Sequence, residues 1–249
     1  MEEQKNTGDM PEVQAATPQK KELKDRKMIS LIIAIVVLVV IGYFASTIQQ
    51  DPYKGLTLTK EVQKDESTDH YIKNRIATEE ASLAIDRASG EDPNLDMIEI
   101  LAYDYNLDGD LVGAREAYEE YLEYHTINYA ILANYASILT EMGDLEAAEQ
   151  AYRDVIVVRK AEGYYRSLVD VMGESNEDGS RDEDIKEALE EGIETVGQTG
   201  YLLINLAQWY IEHDDCKRGI EHYEVANVVV PDDPGLQSDI AKARVECTD

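Results

Sequence analysis

Cationic side chains are scarce in this sequence. There are 23 Lys and Arg against 52 Asp and Glu, a formal net charge of −29 in 249 residues. Such a surface repels phosphates, which argues against a nucleic-acid binder and against docking by charge on anionic lipid. Cysteine occurs twice, too few for a disulfide scaffold or a zinc cluster. Only six prolines are present, and no G-X-Y period, so the chain is neither a collagen nor a mucin-like stalk. The histidines, His70, His125, His213 and His222, show no H-E-x-x-H or paired spacing. Glycine-rich phosphate loops, a G-x-S-x-G elbow and a plausible Cys–His pair are all missing, so nothing points to catalysis, a metal or a cofactor. Aromatic usage is lopsided, one Trp and one Phe beside 16 Tyr. Apolar residues make up 43% of the chain, enough to build packed domains and to exclude wholesale disorder.

Charge is also unevenly placed. Six of the 52 acids and six of the 23 bases fall in residues 1–50, leaving 46 acids against 17 bases, and the whole −29, in residues 51–249. The neutral part contains Met28–Ile48, 21 residues without a charge, rich in Ile, Val and Leu. At about 1.5 Å per residue a helix of that length covers roughly the 30 Å of a bilayer's hydrocarbon core. Tyr43 and Phe44 stand near its end, where rings favour the interface. The apolar run exceeds the core of a cleaved signal, and no small-x-small cleavage site follows, so an uncleaved signal-anchor is expected. Lys20, Lys21, Lys24, Arg26 and Lys27 precede the run, whereas only Lys54 and Lys60 follow it closely. That asymmetry puts the N-terminus in the cytoplasm and residues 51–249 outside it. Residues 1–27 read as a disordered cytoplasmic tail and 49–65 as a tether.

Beyond the tether the sequence repeats. Leu95, Leu101, Ala102, Tyr105, Gly109-Asp110-Leu111, Ala114 and Tyr118 recur as Leu132, Tyr135, Ala136, Leu139, Gly143-Asp144-Leu145, Ala148 and Tyr152. Gly109 to Gly143, Ala114 to Ala148 and Tyr118 to Tyr152 are each 34 residues apart. A further copy carries Leu203, Leu206, Ala207, Tyr210, Asp214-Asp215, Gly219, Tyr223, Ala226 and Pro231. Each unit reads as two amphipathic helices around a Gly-Asp turn, Gly supplying left-handed dihedrals and Asp capping free N–H groups. Small residues (Ala114, Ala148, Gly219) admit the partner helix, and a ring (Tyr118, Tyr152, Tyr223) fills the gap to the next unit. One such hairpin cannot cover its own apolar face, so the units must stack.

On these residues the chain resembles a tetratricopeptide repeat protein over about Leu95–Asp249. The resemblance implies an all-α, right-handed solenoid of helix-turn-helix repeats, here preceded by a single transmembrane helix. Repeats are expected at 95–128, 129–162, 163–199 and 200–234, the third divergent, with an insertion between Glu174 and Asp184 and Gly192 in place of the ring. Residues 66–94 read as an N-terminal helix or degenerate repeat with Ile72, Ile76, Ala77, Leu83, Ile85 and Ala88 on one face, and 235–249 as a cap burying Leu236, Ile240, Ala243 and Val245. The cap should run back antiparallel and return Cys247 to the level of Cys216, where the two either form a disulfide or pack as small apolar groups. Asp104, Asn106, Asp108 and Asp110 fit the front of an EF-hand loop, but Arg115 occupies its closing Glu position.

Stacked hairpins curve, and first-helix residues off the packing face line the concave side. By repeat position these are Asp96, Glu99, Tyr103, Asn106, Ser137, Thr140, Glu141, Tyr164, Gln208, Ile211 and Glu212. The resemblance implies a peptide- or protein-docking surface. Some members grip C-terminal carboxylates with Lys and Arg, which this groove scarcely offers, whereas Tyr faces and amides among carboxylates suit an extended peptide, neutral or basic. The expected function is a membrane-anchored adaptor or scaffold of an envelope, secretion or translocation assembly. The rival readings are a holding chaperone beside a translocon and, with less support, a metal-dependent or catalytic ectodomain.

Overall fold

The computed structural model describes residues 52–247 apart from Glu91 and Thr126. The apolar run 28–48, the tail 1–27 and residues 49–51 lie outside these, so the expected membrane span and tail fall beyond the described part. Among the described residues no helix is long and apolar enough to cross a membrane. The compact unit that concerns function is Gly55–Asp249.

Ten helices are present among the described residues: α1 Glu66–Ser89, α2 Leu95–Asp108, α3 Leu111–Tyr124, α4 Tyr129–Met142, α5 Leu145–Val158, α6 Glu162–Glu174, α7 Asp182–Val196, α8 Gly200–Glu212, α9 Cys216–Val229 and α10 Pro234–Glu246. Each packs chiefly on its neighbours in sequence, and α6 also touches α8, the pattern of stacked hairpins rather than a globule closed on one centre. Four hairpins result (α2–α3, α4–α5, α6–α7, α8–α9), with α1 before them and α10 after.

Local chemistry sets the ends. Asp65, Asn94, Asp110, Asn128, Thr199, Asp215 and Asp233 each accept a backbone N–H of the helix they precede. Gly109 and Gly143 close α2 and α4 in the left-handed region at φ 89° and 79°. The equivalent turn after α8 has no glycine; Asp214 adopts φ 60° there, the one described non-glycine residue with positive φ. Inside, Ala114 and Ala148 are fully buried and the rings of Tyr118, Tyr152 and Tyr223 are buried beside them.

Two sequence expectations need correction. In α1 only Ile72, Ile76 and Leu83 are buried, while Ile85 is 70% exposed. At roughly 100° per residue Ile85 lies about 220° round the helix from Ile72, so a single face cannot hold both. In α10, Val245 is 69% exposed, while Leu236, Ile240 and Ala243 pack on Leu203, Ala207, Tyr223 and Ala226. Gly192 does not leave a gap. Tyr165, from the first helix of the same hairpin, is fully buried, and a Cβ on Gly192 would stand 3.2 Å from its Cδ1 and 3.1 Å from Leu202 Cδ1.

The part of the expected tether within this unit is not free. Residues 55–65 lie as an extended strap across the turns of the first two hairpins. Thr57 N donates to Met142 O (2.8 Å), Lys60 N to Gly109 O (2.9 Å) and Leu111 N to Leu58 O (3.1 Å), with an antiparallel bridge between Thr59 and Asp110. Lys60 reaches Glu141, and Lys64 reaches both Asp108 and Asp69.

The insertion is likewise ordered. Arg181 Nη1 and Nη2 clasp Glu149 of the preceding hairpin at 2.7 and 3.1 Å, and Trp209 Nε1 of the following one donates to Asp182 O at 2.8 Å. Cys216 and Cys247 are joined as a disulfide that ties the start of α9 to the end of α10.

Candidate functional site

The core just described leaves one side of α2 open to solvent. On α2, Ile98, Leu101 and Ala102 face inward, so Asp96, Glu99, Ile100 and Tyr103 stand on the other side. Asp96, Glu99 and Tyr103 border one hollow of ≈ 370 Å³, together with Arg75 from α1, Ile100, Tyr118 from α3 and Asn134 from α4. Ile100 and Tyr103 are 42% and 51% exposed, large apolar surfaces left open to solvent. The Asp96 and Glu99 carboxylates make no hydrogen bond or ion pair among the described residues. The phenol of Tyr118 is pushed up to about 12, chiefly by burial, with Glu99 and Tyr103 adding to the rise against a hydrogen bond from Asn134.

Behind Arg75 lies a charge cluster that sequence spacing did not reveal. Arg75 Nε is 2.9 Å from Asp104 Oδ2 and 3.7 Å from Glu79 Oε1. Asp104 is wholly buried, and among the described residues neither its side-chain oxygens nor Glu79 Oε2 has a hydrogen-bond donor. One guanidinium thus serves two shielded carboxylates. Burial raises both carboxyls above the usual carboxylate range, Glu79 further because Asp104 is near it. Asp104, read in sequence as the first position of a partial calcium loop, faces α1 and takes Arg75 as its cation.

Other expected groove residues fall elsewhere. Gln208, Ile211 and Glu212 border a smaller hollow of ≈ 120 Å³ walled by Tyr223 and by Asp239 and Lys242 of the cap. Gln208 and Glu212 also line a space of ≈ 220 Å³ with Asn176 and Asp182 of the insertion, Trp209 and His213. Ser137 is exposed but borders none of these. Thr140 turns its hydroxyl back to Ala136 O at 2.9 Å. Glu141 is engaged by Lys60 of the strap. Tyr164 is partly buried against the central core, and Asn106 Oδ1 is buried with no hydrogen-bond partner among the described residues.

Ile100 and Asn134 were missed. They are 34 residues apart and occupy the same repeat position, next to the row chosen on sequence. The period contained the signal. Arg75 comes from outside the repeats and had none.

With this geometry in hand, comparison with known proteins locates the fold. The tetratricopeptide repeat family model matches residues 106–169, from the end of α2 into α6. Among solved structures, YrrB, described as a TPR protein with an unusual peptide-binding site, has a TM-score of 0.52 at 11% identity, over 71% of this chain and 86% of that one. The MamA protein gives 0.51 at 18% identity, covering 61% and 81%. A MamA RS-1 double mutant gives 0.52 at 13% identity, covering 62% and 85%. No curated protein matches the chain. The described part is an all-α, tetratricopeptide-type helical-repeat solenoid.

Proposed function

We propose that the chain is a membrane-anchored adaptor. In this reading residues 28–48 cross the bilayer, and the repeats stand outside the cytoplasm. There they dock an extended, neutral or basic segment of a protein partner belonging to an envelope, secretion or translocation assembly. The observation that carries the docking reading is the hollow beside α2, where Ile100 and Tyr103 remain open to solvent although the core is complete without them. Large apolar groups held out of a finished core, rimmed by carboxylates, are what an interaction site needs. The net charge of −29 favours cationic segments over nucleic acid. YrrB, described as a TPR protein with an unusual peptide-binding site, lends the fold a precedent. The charge-free run and the cations before it support the anchor and its orientation.

A photo-crosslinking residue at position 103 of the full chain, activated in native membranes, tests this reading. One partner captured in defined stoichiometry, and not captured from position 187 on α7, supports the adaptor. A ladder of many unrelated chains would favour a holding chaperone, and no adduct would overturn the groove. A topology reporter fused after residue 60 should be active only outside the cytoplasm.

A further inference from the structure

We infer that the hollow beside α2 is a specificity pocket for a single lysine or arginine side chain of the docked segment. The inference rests on the docking reading above and goes beyond it, since a groove can hold a peptide without selecting a cation.

The first support is the pocket itself. Asp96 and Glu99 present two carboxylates with no ion pair among the described residues, while Ile100 and Tyr103 offer open apolar and aromatic surface beside them. A long cationic side chain has this division, an apolar stem below a charged head. Its stem can cover Ile100 and the Tyr103 ring while its head reaches the acids. A ring face adds a favourable quadrupole for the cation. Arg75 does not oppose this, because its guanidinium is engaged by Asp104, with Glu79 alongside.

The second support is independent and lies in the strap. Here the protein binds an extended segment of its own chain against the same two hairpins. That segment is held by backbone hydrogen bonds at Thr57, Leu58 and Lys60, and it delivers lysines to acidic partners. Lys60 Nζ sits 2.5 Å from Glu141 Oε2, and Lys64 pairs with Asp108 and, at 3.1 Å, with Asp69. An extended backbone laid on helix ends with lysines set on carboxylates is therefore a binding mode these two hairpins already use at their turns. Asp96 and Glu99 supply carboxylates that no lysine among the described residues fills.

The test uses the full chain in non-ionic detergent and a set of acetylated, amidated nine-residue Ala/Thr peptides. Their central residue is Lys, Arg, norleucine or Glu, and binding is read by fluorescence anisotropy. The Lys and Arg peptides should bind about tenfold more tightly than the norleucine peptide, and the Glu peptide more weakly still. The double variant Asp96→Asn/Glu99→Gln should erase that preference while leaving norleucine binding and the melting temperature unchanged. An exposed control, Glu187→Gln, should change nothing. Equal binding of the Lys and norleucine peptides overturns the pocket but leaves the adaptor standing. So does a lysine preference that survives the double variant, which would place the cation elsewhere. Failure of every peptide to bind also removes the pocket, and photo-crosslinking at position 103 then decides the adaptor separately.

Discussion

Lys60 Nζ lies 2.5 Å from Glu141 Oε2, joining residues 81 apart in sequence, and it does so from a segment with no regular secondary structure. The two strap lysines should nevertheless differ in weight. The Lys60 pair is about one-third exposed on both sides, so solvent screens it. Lys60→Ala should cost less than about 1 kcal/mol. Lys64 is well shielded and shared between α1 and the end of α2, and Asp108 foremost raises its ammonium above the ordinary lysine value. Lys64→Ala leaves the Asp108 carboxylate without its cation and should cost about 1–3 kcal/mol in urea unfolding. Equal effects of the two substitutions would contradict this account of the strap.

The pair of carboxyls around Arg75 makes the docking of α1 sensitive to pH. Burial raises Glu79 and Asp104 in the folded state, so folding favours their protonated forms. Their contribution to stability is fully present below the ordinary carboxylate range and is lost as pH rises through the raised folded values. General repulsion among the acids acts in the same direction, so the comparison must be with a variant. Glu79→Gln leaves Arg75 and Asp104 as a one-to-one pair, and it should flatten the decline of urea stability as pH rises above the ordinary carboxylate range. An unchanged slope would mean that the cluster does not titrate with folding.

Gly192 marks a position where the repeat pattern misleads. Restoring the ring that the other hairpins carry, as Gly192→Tyr, would drive side-chain atoms into Tyr165 and Leu202, already 3.1–3.2 Å from where a Cβ would sit. Loss of about 1–3 kcal/mol is expected from overpacking. A stabilised variant in a thermal melt would show that the site has slack.

The bond between Cys216 and Cys247 closes a span of 31 residues. On the chain-entropy account, removing it through Cys216→Ser/Cys247→Ser should lower stability by about 3–4 kcal/mol. Hydrogen exchange in the variant should rise first in α10, whose buried contacts are confined to Leu236, Ile240 and Ala243. Uniform loss of protection along the repeats would show that the bond supports more than the cap.

How far the sequence carries can be judged from these residues. The hairpins were legible because period, turn and small-large pairing all state the same requirement, that each helix bury one stripe. The third hairpin was harder, since its missing ring is supplied by Tyr165, a residue the pattern assigns to another layer. The strap was illegible. Its hold on the repeats is made largely through main-chain groups, which every residue possesses, so Thr57 and Leu58 carry no mark of it. The groove was half legible. Position in the repeat placed Asp96, Glu99 and Tyr103 beside one hollow, but it could not foresee that Lys60 would claim Glu141 or that Arg75 would arrive from α1.

Linear arrays usually fray from their ends, where a terminal unit has a neighbour on one side only. This one has a staple at each extremity, the strap across its opening turns and the Cys216–Cys247 bond on its final helix. Loosening from either end is therefore opposed, and the hairpin of α6 and α7 between them is held to both neighbours by Arg181 on Glu149 and Trp209 on Asp182.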